Sequence, residues 1–257
     1  MKYPYGWFVH SFVIYLLTTG IPVFAAELNA AEPRDRGEIA LISDPKNPGL
    51  VFAVADLNKA LRGQGHTVTA MPLSERSKST ATQCIVLTTL DNAGALTQFK
   101  DAGGSAPTGL RAQGFGIRKT TQGEKRTIWV WGADSAGAMY GGLELAEIVA
   151  LEGLAATKPA DHNAHLTKRG LKMNIPLDAR TPSYADAGNA AQSNIPDMWS
   201  WDFWSQHLDA MARHRYNVVT LWNPHPFPSL VKVPEYAQVA LNDVKRSTMD
   251  WRQWHPI

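Results

Sequence analysis

Between Gly37 and Gly153 the chain alternates short apolar runs with helix-length segments, and this alternation restricts the region to an α/β architecture. Glu38-Ile39-Ala40-Leu41-Ile42 suits a buried strand. Asn47-Pro48 reads as an N-cap with proline at the first helical position. Leu50, Val54, Leu57 and Leu61 then share one helix face, and Gly63 fits the stop. His66–Met71 and Cys84–Thr89 read as two more strands, with a helix starting near Asp91. After a Gly- and Pro-bearing loop, Gly114–Lys119 and Arg126–Trp131 read as hairpin arms turning at Thr121-Gln122-Gly123. Asp134 caps a long helix through Met139, Leu143, Ala146 and Ala150, closed by Gly153.

A polar connector, 154–167, precedes a change of composition, for six of the nine tryptophans fall between Trp199 and Trp254. Arg169–Ile175 is strand-like. A loop rich in Pro, Asp and Asn follows, from Pro176 to about Met198. Ser200 or Asp202 then starts a helix whose Trp204, Leu208 and Met211 share a face, and Tyr216–Trp222 is a second buried strand. Strand, loop, helix, strand is a βαβ unit, which implies a parallel pair.

Residues 1–26 read as a secretory signal peptide. Lys2 precedes apolar runs at Trp7–Val9 and Phe12–Leu17, and Val23-Phe24-Ala25 sets a cleavage site near Ala25. The apolar run is shorter than the ~20 residues of a span, so no stable membrane anchor is expected and the protein should be secreted or periplasmic. The net charge of +2 gives no basic stripe for nucleic acid, and the single cysteine, Cys84, excludes an intramolecular disulfide. There is no P-loop, His-Glu-x-x-His, Gly-x-Gly-x-x-Gly or Gly-x-Ser-x-Gly. His162 and His165 sit in the connector without cysteines nearby, and neither a metal nor a cofactor is expected.

Ligands of parallel sheets and barrels meet the carboxyl ends of strands and the loops that follow. After the first strand of the second region come Asn174, Asp178 and Arg180; at the end of the second come Trp222, Asn223 and His225. Carboxylate and guanidinium suit vicinal hydroxyls, and an indole face suits the apolar face of a sugar ring. Asp178, Arg180, Trp222, Asn223 and His225 are therefore the candidate substrate-binding residues, with Trp201 as a further platform. The same residues also admit a structural reading, with Asp178 and Arg180 ion-paired and Trp222 in the core.

The run Ile128-Trp129-Val130-Trp131-Gly132-Ala133-Asp134 through Tyr140-Gly141-Gly142-Leu143 to Glu147 resembles the end of an accessory domain. That domain precedes the catalytic barrel in family 67 α-glucuronidases and family 20 β-N-acetylhexosaminidases. Arg169-Gly170-Leu171 is similar to the opening of the first barrel strand in the hexosaminidases, and Tyr216-Asn217-Val218-Val219 resembles the start of their second. Asn223 falls where the glucuronidases carry asparagine. Asp178-Ala179-Arg180 does not keep the hexosaminidase Asp-x-x-Arg spacing, and Leu221-Trp222-Asn223-Pro224-His225 lacks their second-strand ending, which leans the likeness toward the glucuronidases or a sibling family.

After the signal peptide (1–26), the resemblance implies an α/β sandwich accessory domain (27–153), the connector, and the first βαβ portion of an incomplete TIM (β/α)8 barrel (168–257). A complete barrel takes ~250 residues. Hydrolysis of a glycosidic bond needs two carboxyl groups, and Asp178 is the only acid at a strand end. The expectation is an exported carbohydrate-active protein whose full-length form is a glycoside hydrolase, with the catalytic carboxylates outside these residues. The alternative is a non-catalytic sugar-binding or surface-interaction protein. Sequence does not set the oligomeric state.

Overall fold

Successive side chains from Ile39 to Ile42 are buried on alternate faces of a sheet, which is why that stretch is apolar throughout. The computed structural model describes residues 37–175, 196–222 and 234–239. β1 (Glu38–Ser43), β2 (Thr67–Pro72), β3 (Gln83–Thr89), β4 (Phe115–Gln122), β5 (Lys125–Gly132) and β6 (Ala160–His162) form one mixed sheet, in the order β2-β1-β3-β5-β4-β6. β1 runs parallel to both β2 and β3, β3 is parallel to β5, and β4 is antiparallel to β5 and β6.

Ile39, Leu41, Ile85, Leu87 and Val130 pack against α1 (Pro48–Gly63) and α3 (Ser135–Glu152) on one face. Ala40, Ile42, Cys84, Val86, Trp129 and Trp131 pack on the other, where α2 (Ala93–Asp101) contributes Phe99. Each fully buried Leu or Ile contributes roughly 1.5–3 kcal/mol of transfer free energy, so these two layers dominate the stability of the sheet. Trp129 and Trp131 stack with ring centroids 5.6 Å apart, and Phe99 lies 5.1 and 5.2 Å from them.

The caps form where the sequence places them. Asn47 Oδ1 accepts from the amides of Gly49 and Leu50, and Asp134 Oδ1 accepts from that of Gly137 at 2.8 Å. The α2 cap is Asn92, accepting from Ala95 N at 3.0 Å. Gly137 sits where a Cβ would lie 2.1 Å from the Gly114 carbonyl oxygen, so only glycine lets α3 approach the loop before β4.

Three details depart from expectation. α1 ends at Gly63 as expected, but the left-handed residue that closes it is Gly65 (φ 91): His66 N donates to Leu61 O and Gly65 N to Arg62 O, which is a Schellman motif. The hairpin turns at Gly123 and Glu124, because Gln122 pairs with Lys125 and Gly123 supplies a positive φ of 60. The connector after α3 also supplies the sheet with β6, Ala160–His162, and the His162 ring stacks on Phe115 at 4.8 Å.

β7 (Gly170–Asn174) and β8 (Val218–Trp222) form a separate parallel pair joined through α4 (Trp201–Arg213). Ser200 caps α4, accepting from Phe203 N. Ile175 and Met198 are buried with Met173, Phe203, Trp204 and Leu221 around them, so Trp204 is core, as its place on the helix face implies. The protein is thus α/β, with a six-stranded mixed central sheet and a βαβ unit. Two described strands do not by themselves make a barrel. Among the described residues no helix is long and apolar enough to cross a membrane.

Candidate functional site

β7 and β8 run in register from Gly170↔Val218 to Asn174↔Trp222, and Ile175 N donates to Trp222 O at 2.9 Å. Both strands therefore end at one level, and the chain leaves each at the same edge. α4 crosses back between them, so its first turn lies at that edge too. Trp199 (45 % exposed) and Trp201 (76 % exposed) stand there beside the Ser200 cap. An exposed indole at a strand-end edge suits the apolar face of a ligand ring, and Trp201 is the more exposed of the two.

Of the five substrate-binding candidates, only Trp222 belongs to the described residues. Asp178, Arg180, Asn223 and His225 lie outside them. Trp222 is half-buried rather than sealed in the core, and Lys172 Nζ stands 5.4 Å from its ring centroid. A cation at that range is attracted by the ring quadrupole and leaves a positive charge close to the strand end. Sequence reading missed Lys172. Its signal was parity, since Lys172 pairs with Thr220, and Thr220 and Trp222 are two apart on β8 and share a face.

A second polar concentration lies at the opposite end of the βαβ unit. A cleft of about 660 Å³ is lined by Asp56, Lys59, Gln64, Glu147, Arg213 and Arg215, among others. Arg213 pairs with Asp56 at 2.7 Å, and that bond raises the Arg213 guanidinium above its usual value. Because the cleft opens at the amino end of β8, it is not where the ligand of a parallel α/β unit sits.

Cys84 is the remaining reactive group. It is buried in β3, and burial pushes its thiol up despite the opposing influence of Lys125 and Arg76. An apolar thiol held protonated is packing, not a nucleophile. Among the described residues no group of three His, Cys, Asp or Glu is placed to hold a metal ion.

No protein-family model matches the chain, and no curated protein matches it. Solved structures do. A GH138 enzyme targeting pectin rhamnogalacturonan II superposes with a TM-score of 0.54 and 24% identity, over 78% of this chain and 26% of that one. A family GH115 4-O-methyl-α-glucuronidase with specificity for decorated arabinogalactans superposes at 0.50 with 16% identity, over 72% and 25%.

The fold is glycoside-hydrolase-like. At these identities the likeness concerns the fold alone and does not single out family 67 or family 20. The chain spans about a quarter of the length of each of these two structures.

Proposed function

We propose that this is an exported carbohydrate-active protein, part of a glycoside hydrolase acting on O-glycosidic bonds of oligo- or polysaccharides, that binds sugar at the carboxyl ends of β7 and β8. The observation that carries the reading is the terminal register pair Asn174↔Trp222, from which Asp178, Arg180, Asn223 and His225 follow within a few residues. Trp222 offers an apolar ring face, while the carboxylate, guanidinium and amide side chains offer paired hydrogen bonds to hydroxyls.

Within that reading the α-glucuronidase-like form is favoured over the hexosaminidase-like one. One structural neighbour is named as a glucuronidase, and Lys172 and Arg180 carry positive charge suited to an acidic sugar, with the His225 imidazole as a further hydrogen-bonding group. The acid and the base or nucleophile of hydrolysis are assigned outside these residues, because Asp178 alone cannot supply both. These 257 residues should then bind without turnover. A non-catalytic sugar-binding protein is the second reading, favoured by the same single acid.

A glycan array probed with the protein and with Trp222→Ala and Asp178→Ala tests the binding claim. Signal on acidic oligosaccharides that drops in both variants supports it; variants that bind like the parent return both residues to structural roles. Release of nitrophenol from aryl glycosides at ordinary enzyme rates would overturn the assignment of the catalytic pair.

A further inference from the structure

Among the described residues only two non-glycines have positive φ, Gln113 (φ 66) and Arg215 (φ 62). Both lie on the seam between the six-stranded sheet with its helices and the β7-α4-β8 unit, and each reaches across it from its own side.

Gln113 precedes β4. Its Nε2 donates to Thr167 O, and its Oε1 accepts from Asn217 Nδ2, both at 2.9 Å. Its own amide is held by Asp134 Oδ2 at 2.9 Å, so the cap of α3 also fixes the strained backbone. Arg215 lies between α4 and β8. Its Nη2 donates to Glu144 Oε2 at 3.0 Å and Glu147 Oε2 at 2.9 Å, one turn apart on α3. Its carbonyl accepts from Arg169 Nε at 2.8 Å, and the Arg169 guanidinium lies 5.4 Å from the Tyr140 ring centroid on α3.

The other helix ends show that Arg215 is not there for the backbone. α1 and α2 close with the same motif, using Gly65 (φ 91) and Gly103 (φ 76) at the left-handed position. α4 closes identically, Tyr216 N donating to Met211 O and Arg215 N to Ala212 O, with arginine in glycine's place. Left-handed backbone is strained for an arginine and free for a glycine. A residue kept against that preference is held by what its side chain does.

We propose that Gln113 and Arg215 form a reciprocal clasp that fixes the βαβ unit against the sandwich and so sets where the ends of β7 and β8 stand. The clasp has two chemically distinct halves. The Arg215 half is ionic and partly exposed, so salt weakens it; the Gln113 half is a neutral hydrogen-bond set that salt leaves alone. The inference is independent of what the strand ends bind.

Hydrogen exchange read by mass spectrometry on the whole chain tests it. Arg215→Gly and Gln113→Gly each relieve the backbone while removing the side chain. Each should speed amide exchange in β7, α4 and β8 by about tenfold and leave β1, β3 and β5 unchanged. Molar salt also weakens the Arg213–Asp56 pair across the seam, so it should speed exchange in the parent at least as much as Arg215→Gly does, act less strongly in that variant than in the parent, and act in Gln113→Gly as in the parent. Unchanged or slower exchange in the glycine variants would show that strain relief outweighs the cross-seam bonds and would overturn the clasp. An increase spread equally through the sandwich would overturn it as well.

Discussion

Arg213 on α4 donates from Nε and Nη2 to the two carboxylate oxygens of Asp56 on α1, at 2.7 and 3.1 Å, across 157 residues of sequence. The fork geometry is what makes an ion pair at a partly exposed seam worth anything, since single-bonded surface pairs contribute little. A double-mutant cycle on Asp56→Asn and Arg213→Gln, followed by urea unfolding, should give a coupling of about 0.5–1 kcal/mol at low salt that shrinks in molar salt. Arg213→Lys, which keeps charge but loses the fork, should recover less than half of it.

The two stacked tryptophans of β5 differ in one bond. Trp129 Nε1 donates to Thr120 Oγ1 at 2.9 Å, whereas buried Trp131 Nε1 has no hydrogen-bond partner. Phenylalanine at either site loses similar volume, but at 129 it also strands the Thr120 hydroxyl, while at 131 it removes an unsatisfied donor. Trp131→Phe should therefore cost about 1 kcal/mol less than Trp129→Phe by denaturant melts. Alanine at either position should cost on the order of 3–5 kcal/mol, because the aromatic layer with Phe99 would be left with a cavity.

Cys84 makes a prediction about pH. Its thiol is harder to ionise in the folded protein than in the unfolded chain, mainly through burial. As pH climbs past the ordinary thiol range near 8.5, the unfolded chain loses this proton first. The unfolded state then binds fewer protons than the folded one, so this group's contribution to stability is whole below that range and falls above it. Stability of Cys84→Ala should show a shallower decline over the same alkaline interval. Thiol reagents should label the native protein far more slowly than the urea-unfolded one.

Local signals in the sequence carry much of this fold. Caps at Asn47, Asp134 and Ser200 need only a polar side chain and the next three amides, so they are readable from a few residues. The apolar runs of β1 and β3 are equally explicit, because both faces of those strands are buried. Strand order is not local: nothing in Lys125–Gly132 announces that it lies beside β3. β6 is three residues, mostly exposed, and is a strand only because β4 offers it an edge. Gly63 and Gly65 are near-equivalent as stops by composition, and the hydrogen bond from His66 N to Leu61 O decides between them.

The candidate site was legible only in outline. A parallel pairing of β8 with β7 follows from reading a βαβ unit, whereas the register that puts Trp222 opposite Asn174 is seen only in the structure. The approach of Lys172 to that ring needs the pairing itself, and the seam built by Gln113, Arg213 and Arg215 is made of contacts between residues far apart in sequence.

Sugar recognition at the strand ends is tested most directly by calorimetric titration of the whole chain with a glucuronic-acid-bearing oligosaccharide, beside Trp222→Ala and the core variant Trp131→Phe. The parent and Trp131→Phe should bind alike, and Trp222→Ala should lose at least about tenfold in affinity, ~1.4 kcal/mol. Equal binding by the parent and Trp222→Ala, or no heat with any acidic oligosaccharide that the array selects, would contradict the account.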